Sequence, residues 1–537
     1  MRRQWLSTWN SNVRLQRCRT AYHNSCIRKP AATHPLFLVT MVDDLKERGL
    51  LTLAEDGRWL IPSQIDTVLE QVPVSIRQLL DRQIHRLSTE EQQLVQAASL
   101  VGYEFSSAAV AAAVGGTPAA VETACNELGR RQHFLQPAGF SEWPDGVRSA
   151  RYRFRHVICQ DLWAERVPLS DRRQFHLRIG TCLEQAYGSR ANEIASTLAV
   201  HFEQGGDYLR ALGYVQQAAS LAARRYAHRE VVAHLTKGLA LLSYVPDHNV
   251  QVQHELDLCV KLGSALIATR GYGAPEVEAV YTRALELCRQ LSESPQLLQA
   301  LWGLESFYAV RGKFHEARQI SEQCLLLAQS QGNPERLLAA YWTLGQILAH
   351  IGELAEAREH LQRALSLYRP RMHPSRALQD PGVTSRSYLA LVWWMMGDVA
   401  QANTVMMEAL QLAEELGHPF SQAFALTIAA SISVLQHQLP NAHRYAQAAN
   451  ELAQEHGFPA WFAFSAVLYG RTLWMQGVRE QGLAQMQKGV EAWQRTGAEA
   501  SQPFALSFLA ESYKEAGEIT EGLRTVATAL QLGMGKN

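Results

Sequence analysis

The side chains of this 537-residue chain that combine useful chemistry with repeated placement are aromatic. Tyr308, Trp342, Trp394, Trp461 and Trp474 lie in the first of two amphipathic segments that recur along the chain. A rigid ring offers large apolar area at low entropic cost, so an exposed set lining a concave surface would hold a peptide or protein. The other use of such rings is to fill core space beside small residues at helix crossings, and both uses are expected within the set. Catalytic patterns are missing from the sequence. It contains no GxxxxGK[ST] phosphate loop, no GxGxxG after a strand, no HExxH and no GxSxG elbow. The 19 histidines are dispersed, with His248 and His254 a pair that composition alone produces, and the acidic residues fall on polar helix faces. No catalytic residue, resident cofactor or metal site is therefore expected.

Composition narrows the class further. Hydrophobic residues make up 47% and charged residues 19%, enough apolar content to build cores. Lys+Arg equals Asp+Glu at 51 each, but residues 1–33 hold seven basic side chains and no acid. Residues 34–537 are left with 44 basic against 51 acidic groups, a mildly acidic body that argues against a broad nucleic-acid footprint. The eight cysteines include no CxxC pair, which suits reduced thiols in the cytoplasm. No apolar run approaches 18 residues, so no membrane-spanning helix is expected.

The elements that position the rings are legible from small residues. In Tyr341–Tyr368 two amphipathic segments meet at Gly352, with Gly345, Ala357 and Ala364 where the helices would cross. The same slots, 12 and 7 residues apart, recur from Ala265/Val277/Ala284 to Ala510/Gly522/Ala529. The step is 40 residues, with one of 45 where Pro370, Pro374 and Pro381 mark a loop. The turn slot keeps register as Gly312, Gly352, Gly397, His437, Gly477 and Gly517. Ala199/Ala211/Ala218 and Leu221/Ala233/Ala240 extend the pattern upstream. A fixed period of this size predicts an all-α chain, a right-handed α-solenoid of about nine helical pairs over 191–537. Its last helix would present an apolar face, the place where a further repeat would pack.

The first 190 residues read differently. Residues 1–33 are Arg-rich and aperiodic, a composition shared by transit peptides, disordered tails and foreign or misassigned starts. Pro35 opens a helix, and Leu50–Ile61 alternates about Glu55-Asp56-Gly57 as a hairpin. Helices are predicted at Ser75–Leu87, after the capping box Ser88-Thr-Glu-Glu91, and from Thr117-Pro118 to Arg131. Phe134–Pro137 and Arg151–Arg155 then flank a turn at Trp143–Gly146, before helices near His156–Arg166 and Ser170–Tyr187. Three helices and a hairpin predict a small winged-helix-like α+β domain with linker helices over 71–190. Its would-be recognition helix carries Glu122 and Glu127, so nucleic acid is not the expected partner; a DNA-binding transcription regulator is the alternative function, and a nucleotide-binding ATPase a more remote one.

The slots around Leu344-Gly345, Gly352, Ala357 and Ala364 resemble the tetratricopeptide repeat in a longer-helix form. The region before them resembles the middle of a bacterial STAND-type signalling ATPase, through His34-Pro-Leu-Phe-Leu-Val, Val74–Phe105 and Tyr152-Arg-Phe-Arg-His-Val-Ile. That resemblance implies that 34–70 is a remnant of the ATPase module's C-terminal part. Pro35 would then pack on adenine, and His156 would stand where the family's phosphate-sensing histidine does. Thr33 departs from the family's glycine, and no phosphate loop precedes it, so ATP and Mg²⁺ are implied only for a longer parent, and a truncated or frame-shifted start is expected. The function implied is that of a non-catalytic sensor arm, taking a protein, a peptide or its own missing effector and ATPase domains as partner.

Overall fold

The computed structural model describes residues 52–53, 59–60, 84 and 86–534, except 132–134, 292–295 and 370–377. Pro35, residues 1–33 and nearly all of the Ser75–Leu87 helix lie outside the described residues. Two compact units emerge: one ends at Glu193 and takes back Val200–Asp207, and the other holds Ile194–Ala199 and everything from Tyr208.

The first unit is a small α+β domain. Two short antiparallel strands, β1 (Thr52–Leu53) and β2 (Trp59–Leu60), pair within the Leu50–Ile61 stretch expected to be a hairpin, whose Glu55-Asp56-Gly57 lies outside the described residues. Then follow α1 (Thr89–Val101), β3 (Glu104–Ser106), α2 (Ser107–Val114), α3 (Pro118–Arg131), β4 (Leu135–Glu142) and β5 (Arg148–Phe154). The capping box forms: Ser88 Oγ accepts from the Glu91 N–H, and Glu91 accepts from the Ser88 N–H. The antiparallel sheet has the order β3-β5-β4 and covers a core of Val95, Leu128, Phe154 and Trp163. β3 and α2 were not anticipated. The α2 sequence SAAVAAAV is buried almost all round, so it shows no polar face and no helical period. α4 (Val157–Glu165) and α5 (Leu169–Tyr187) complete the unit's helices before the chain passes into α6 (Ala195–Gly205).

The second unit is a helical solenoid. α7 (Tyr208–Arg224) and α8 (His228–Leu241) lead to α9 (His248–Arg270) and α10 (Pro275–Gln290), the first pair in strict register. Six more pairs follow: α11 (Leu297–Val310) with α12 (Phe314–Gln331), α13 (Pro334–Ile351) with α14 (Leu354–Leu367), and α15 (Pro381–Met395) with α16 (Val399–Leu416). After them come α17 (Pro419–Leu435) with α18 (Leu439–His456), α19 (Pro459–Met475) with α20 (Arg479–Thr496), and α21 (Gln502–Ala516) with α22 (Ile519–Met534).

The small-residue slots sit at the crossings. Ala317, Ala357, Ala364, Ala390, Ala402, Ala409 and Ala430 are wholly buried, and a Cβ on Gly345 would come within 2.8 Å of Leu361 Cγ. One slot set does not fit. Ala233 and Ala240 are exposed, and α8 instead turns Val231, Leu235 and Gly238 inward, Gly238 against Leu258 and Val215. From α7 onward the described helices therefore make eight pairs, the first of them α7 packed on α8. α22 leaves Ile519, Leu523, Val526 and Leu530 exposed; 40 residues earlier, the positions of the last three hold Leu483, Met486 and Val490, covered within the α19–α21 core.

Helix starts carry a second signal. Pro275, Pro334, Pro381, Pro419 and Pro459 each stand at the first turn, and Asn333, Asp380 and His418 cap the N–H groups that follow. All six turn slots have positive φ, including His437 at 58° among five glycines. A left-handed conformation costs a Cβ-bearing residue about 1 kcal/mol. His437 is exposed, so His437→Gly is expected to raise solenoid stability by about 0.5–1 kcal/mol in urea unfolding. No gain would mean that the imidazole makes contacts offsetting the strain.

Candidate functional site: the aromatic inner face

First helices of successive pairs, from α9 and α11 through α19 and α21, touch one another, whereas second helices meet mainly first helices. The curvature therefore places the first helices on the inside. It is tight enough for α9 to reach α19: Ala268 shares a core with Phe420, Ala423, Ala453 and Phe458.

Across this inner layer runs an unbroken line of rings. Phe314 stacks on His350 at 5.4 Å, and His350 meets Tyr388 edge-on at 5.6 Å with Nε2 3.3 Å from the phenol oxygen. Tyr388 lies 5.8 Å from Phe424, Phe424 lies 5.2 Å from Trp461, and Trp461 lies 6.3 Å from Tyr272. Phe420 joins Trp461 to Phe458. Edge-to-face packing of this kind adds roughly 0.5–1.5 kcal/mol per pair to area burial, so the line is rigid.

The electrostatics of this layer are those of a desolvated wall. His350 is exposed to solvent yet hemmed in by protein, and that desolvation pushes its imidazole down to about 4. Tyr272 is raised well above its ordinary value, chiefly by burial and then by Tyr388. Glu305, on α11, is buried in a slot where other pairs hold Gly or Ala, and burial raises its carboxyl to about 8. His350 is thus a neutral imidazole at neutral pH, able to donate or accept one hydrogen bond beside flat apolar rings.

Of the rings singled out from sequence, Trp461 belongs to this line. Tyr308 is half-buried, edge-on to Phe307 with the Lys313 ammonium 5.4 Å from its centroid. Trp342 and Trp394 are half-buried against the α13–α17 core. Trp474 is 5% exposed; its Nε1 donates to Glu515 at 2.6 Å, and Arg479 lies over the ring. His156 caps α4, its Nδ1 accepting from the Ile158 N–H at 3.1 Å. The seven rings not singled out from the sequence are Tyr272, Phe314, His350, Tyr388, Phe420, Phe424 and Phe458.

In the α+β unit, α3 turns Glu122 inward, where it accepts from Ser107 Oγ at 2.8 Å and the Ala150 N–H at 3.4 Å. The same unit buries a histidine pair, with His176 Nδ1 2.9 Å from His201 Nδ1. Burial, helped by Arg172, lowers His176 to about 4, and burial with His176 lowers His201 to about 3. Both histidines are held neutral, so their contribution to stability is present above pH 6.5 and is lost as pH falls toward 4. The unfolding free energy of the unit is expected to fall across that window by about 3–6 kcal/mol, and His201→Asn is expected to shallow the slope. An unchanged slope in that variant would assign the acid sensitivity elsewhere.

Among the described residues no group of three or more His, Cys, Asp or Glu could hold a metal ion, and no single helix is long and apolar enough to cross a membrane.

A tetratricopeptide-repeat family model matches residues 304–369, and the solenoid is of that repeat type. An uncharacterised protein of Rhizobium meliloti (strain 1021) is 22% identical over 395 residues, which span 71% of this chain and 37% of that protein. The chain thus matches little more than a third of that relative's length. A signal transduction ATPase with numerous domains and a tetratricopeptide-repeat sensor, from Pyrococcus horikoshii, overlays 87% of this chain and 66% of its own at TM-score 0.46 and 12% identity. A Rap protein complexed with competence and sporulation factor overlays 60% and 98% at TM-score 0.44 and 10% identity. These structural likenesses are distant; the fold assignment rests on the helix pairing and the repeat match.

Proposed function

We propose that this chain is the repeat sensor arm, with an adjoining winged-helix-like domain, of a STAND-type signalling regulator. It acts without catalysis, by holding a peptide or an extended protein segment on the inner face of the solenoid. The observation that carries this reading is His350, a solvent-exposed neutral imidazole set into a line of rings that crosses four first helices. The partly exposed rings of that line, Phe314, Trp461 and Tyr272, supply apolar contacts and His350 one polar contact to fix register, with the buried Tyr388 and Phe424 holding them in place. The helix–strand–helix–helix–strand–strand order of the α+β unit matches the winged-helix plan, and the inward Glu122 suits α3 to packing more than to phosphate contact.

Selection of a random peptide library against the full chain tests the proposal. Enriched peptides are expected to bind the wild type saturably and to lose at least tenfold in affinity to His350→Ala. Peptides indifferent to that change, or no enrichment at all, would overturn the inner-face reading.

A further inference from the structure

The solenoid closes on itself, and the seam has an unusual composition. One part is main chain: the Glu499 and Ala500 N–H groups both donate to Val310 O, at 2.8 and 2.9 Å, and Arg311 Nη1 donates to Gly497 O at 3.0 Å. Arg311 also pairs with Glu499 at 3.0 Å. Beside it, Gly273 and Gly497 meet so closely that a Cβ on either would come within 2.5 Å of the other's backbone. The other part is aromatic and rich in histidine. Tyr226 sits edge-on to His418 at 5.2 Å, His228 lies 6.1 Å from Phe458, and His456 stacks on Phe458 at 5.5 Å.

Tyr226 reaches His418 from a left-handed backbone, φ 57°, a conformation that costs a bulky residue about 1 kcal/mol or more and persists only where its surroundings hold it. The chain is strained in order to make this contact.

We propose that this seam is a proton-operated clasp, in which His228 and His418 hold the solenoid shut while neutral and part it when they charge. The groups facing them bear this out. His228 Nε2 is buried without a hydrogen-bond partner. Arg229 brings a fixed positive charge beside Gly457. The nearby carboxylates are engaged or turned outward. Glu230 pairs with Arg225 at 3.3 Å, Asp380 accepts from Tyr368 and from the Gly382 and Val383 N–H groups, and Glu455 is exposed. Asp380 is linked to His418 through Ser421, whose hydroxyl lies 2.9 Å from His418 Nδ1 and accepts from the Asp380 N–H.

Burial and the charge of His228 lower His418 to about 4, and burial and then His456 lower His228. Both residues therefore favour the closed seam at pH 7, and that preference disappears as pH falls from 6.5 toward 4. For His418 alone the full interval is worth about 300-fold in the closed-to-open ratio.

That the clasp governs entry to the inner face rests on the peptide-binding reading; its opening does not, and the test uses no ligand. Hydrogen exchange on the full chain, corrected for intrinsic rates, is compared at pH 7.5 and 5.0 together with the radius of gyration. Protection at 496–503 is expected to fall at least tenfold and the radius to grow, with the histidine-free stretch 399–409 unchanged. His228→Gln with His418→Asn, which keeps the helix cap, is expected to remove the pH effect. Should the double variant not fold, His228→Gln alone is expected to lower the opening midpoint by about half a pH unit or more. A seam equally protected at both pH values, or a midpoint indifferent to either variant, would overturn the clasp.

Discussion

Gly482→Val is expected to pry apart α19 and α20 and to cost the solenoid about 3 kcal/mol or more. At this crossing a Cβ on Gly482 would lie 2.7 Å from both Gly470 O and Trp474 N, and one on Gly470 would lie 2.6 Å from Gly482 O. Gly489 meets Val467 and Ala463 O in the same way, so the two helices touch main chain to main chain along their length. Backbone atoms cannot rotate aside as a side chain does, which puts the substitution at the upper end of overpacking costs. Each pair packs mainly on its neighbours, so the damage is expected to stay local. Hydrogen exchange should show protection lost over 459–516 and kept over 89–187. The seam involves Gly497 and Glu499, so protection around Val310 is expected to weaken as well. Uniform loss along the chain would mean one cooperative unit in place of a solenoid, and a neutral result would mean that the pair can slide apart without penalty.

That crossing also shows why so much of the fold was legible in the sequence. A close helix approach excludes every large side chain, so its trace survives as a spacing of small residues: 12 across the turn and 7 along the second helix. The left-handed turn does the same through Gly352 and Gly397. Where the physical demand is weaker, the trace blurs. Ala233 and Ala240 matched the spacing by composition alone, because alanine is equally at home on an exposed face, and the structure places both in solvent. In the α+β unit, β3 and α2 left no trace, since a three-residue strand is too short to alternate and a helix buried all round has no period.

The inner face was less legible, for a geometric reason. The rings of the line do not share one slot. Counted from the crossing residues, His350 follows Gly345 by five, while Tyr388 precedes Ala390 by two, Phe424 precedes Ala430 by six and Trp461 precedes Gly470 by nine. The line thus cuts diagonally across the first helices, two turns earlier at the first step and about one turn earlier at each later one, and recurs every 36–38 residues where the repeat steps by 40 or 45. Aligning repeats by their crossings scatters it, and selecting the largest rings favours Trp342 and Trp394 over His350. The contact between α9 and α19 joins residues nearly 200 apart, a separation that no local period encodes.

Glu305→Gln is expected to stabilise the chain at alkaline pH by on the order of 3–5 kcal/mol and to leave it nearly unchanged below pH 5. Glu305 occupies the crossing slot of α11, 2% exposed, opposite Ala317 and Cys324 of α12. Ser306 Oγ donates to it at 3.3 Å, while Ser321 lies near enough to favour the carboxylate without meeting hydrogen-bond geometry. Those contacts do not offset burial, and the carboxyl is held neutral up to about pH 8. The folded value lies above the ordinary 4.5, so the contribution of Glu305 is fully present below pH 4.5 and is lost as pH rises through 8. Cys324, raised to about 12 by burial and then by Glu305, adds no charge in that range. Glutamine keeps the shape and one donor and cannot ionise, so its unfolding free energy should be flat where the wild type declines. Urea unfolding of both proteins between pH 5 and 9 reads the difference directly. Parallel curves would show that the slot admits water and that Glu305 ionises like a surface carboxylate. Curves that separate from about pH 5 and run parallel again above pH 8 would establish a buried acid at the heart of the α11–α12 crossing.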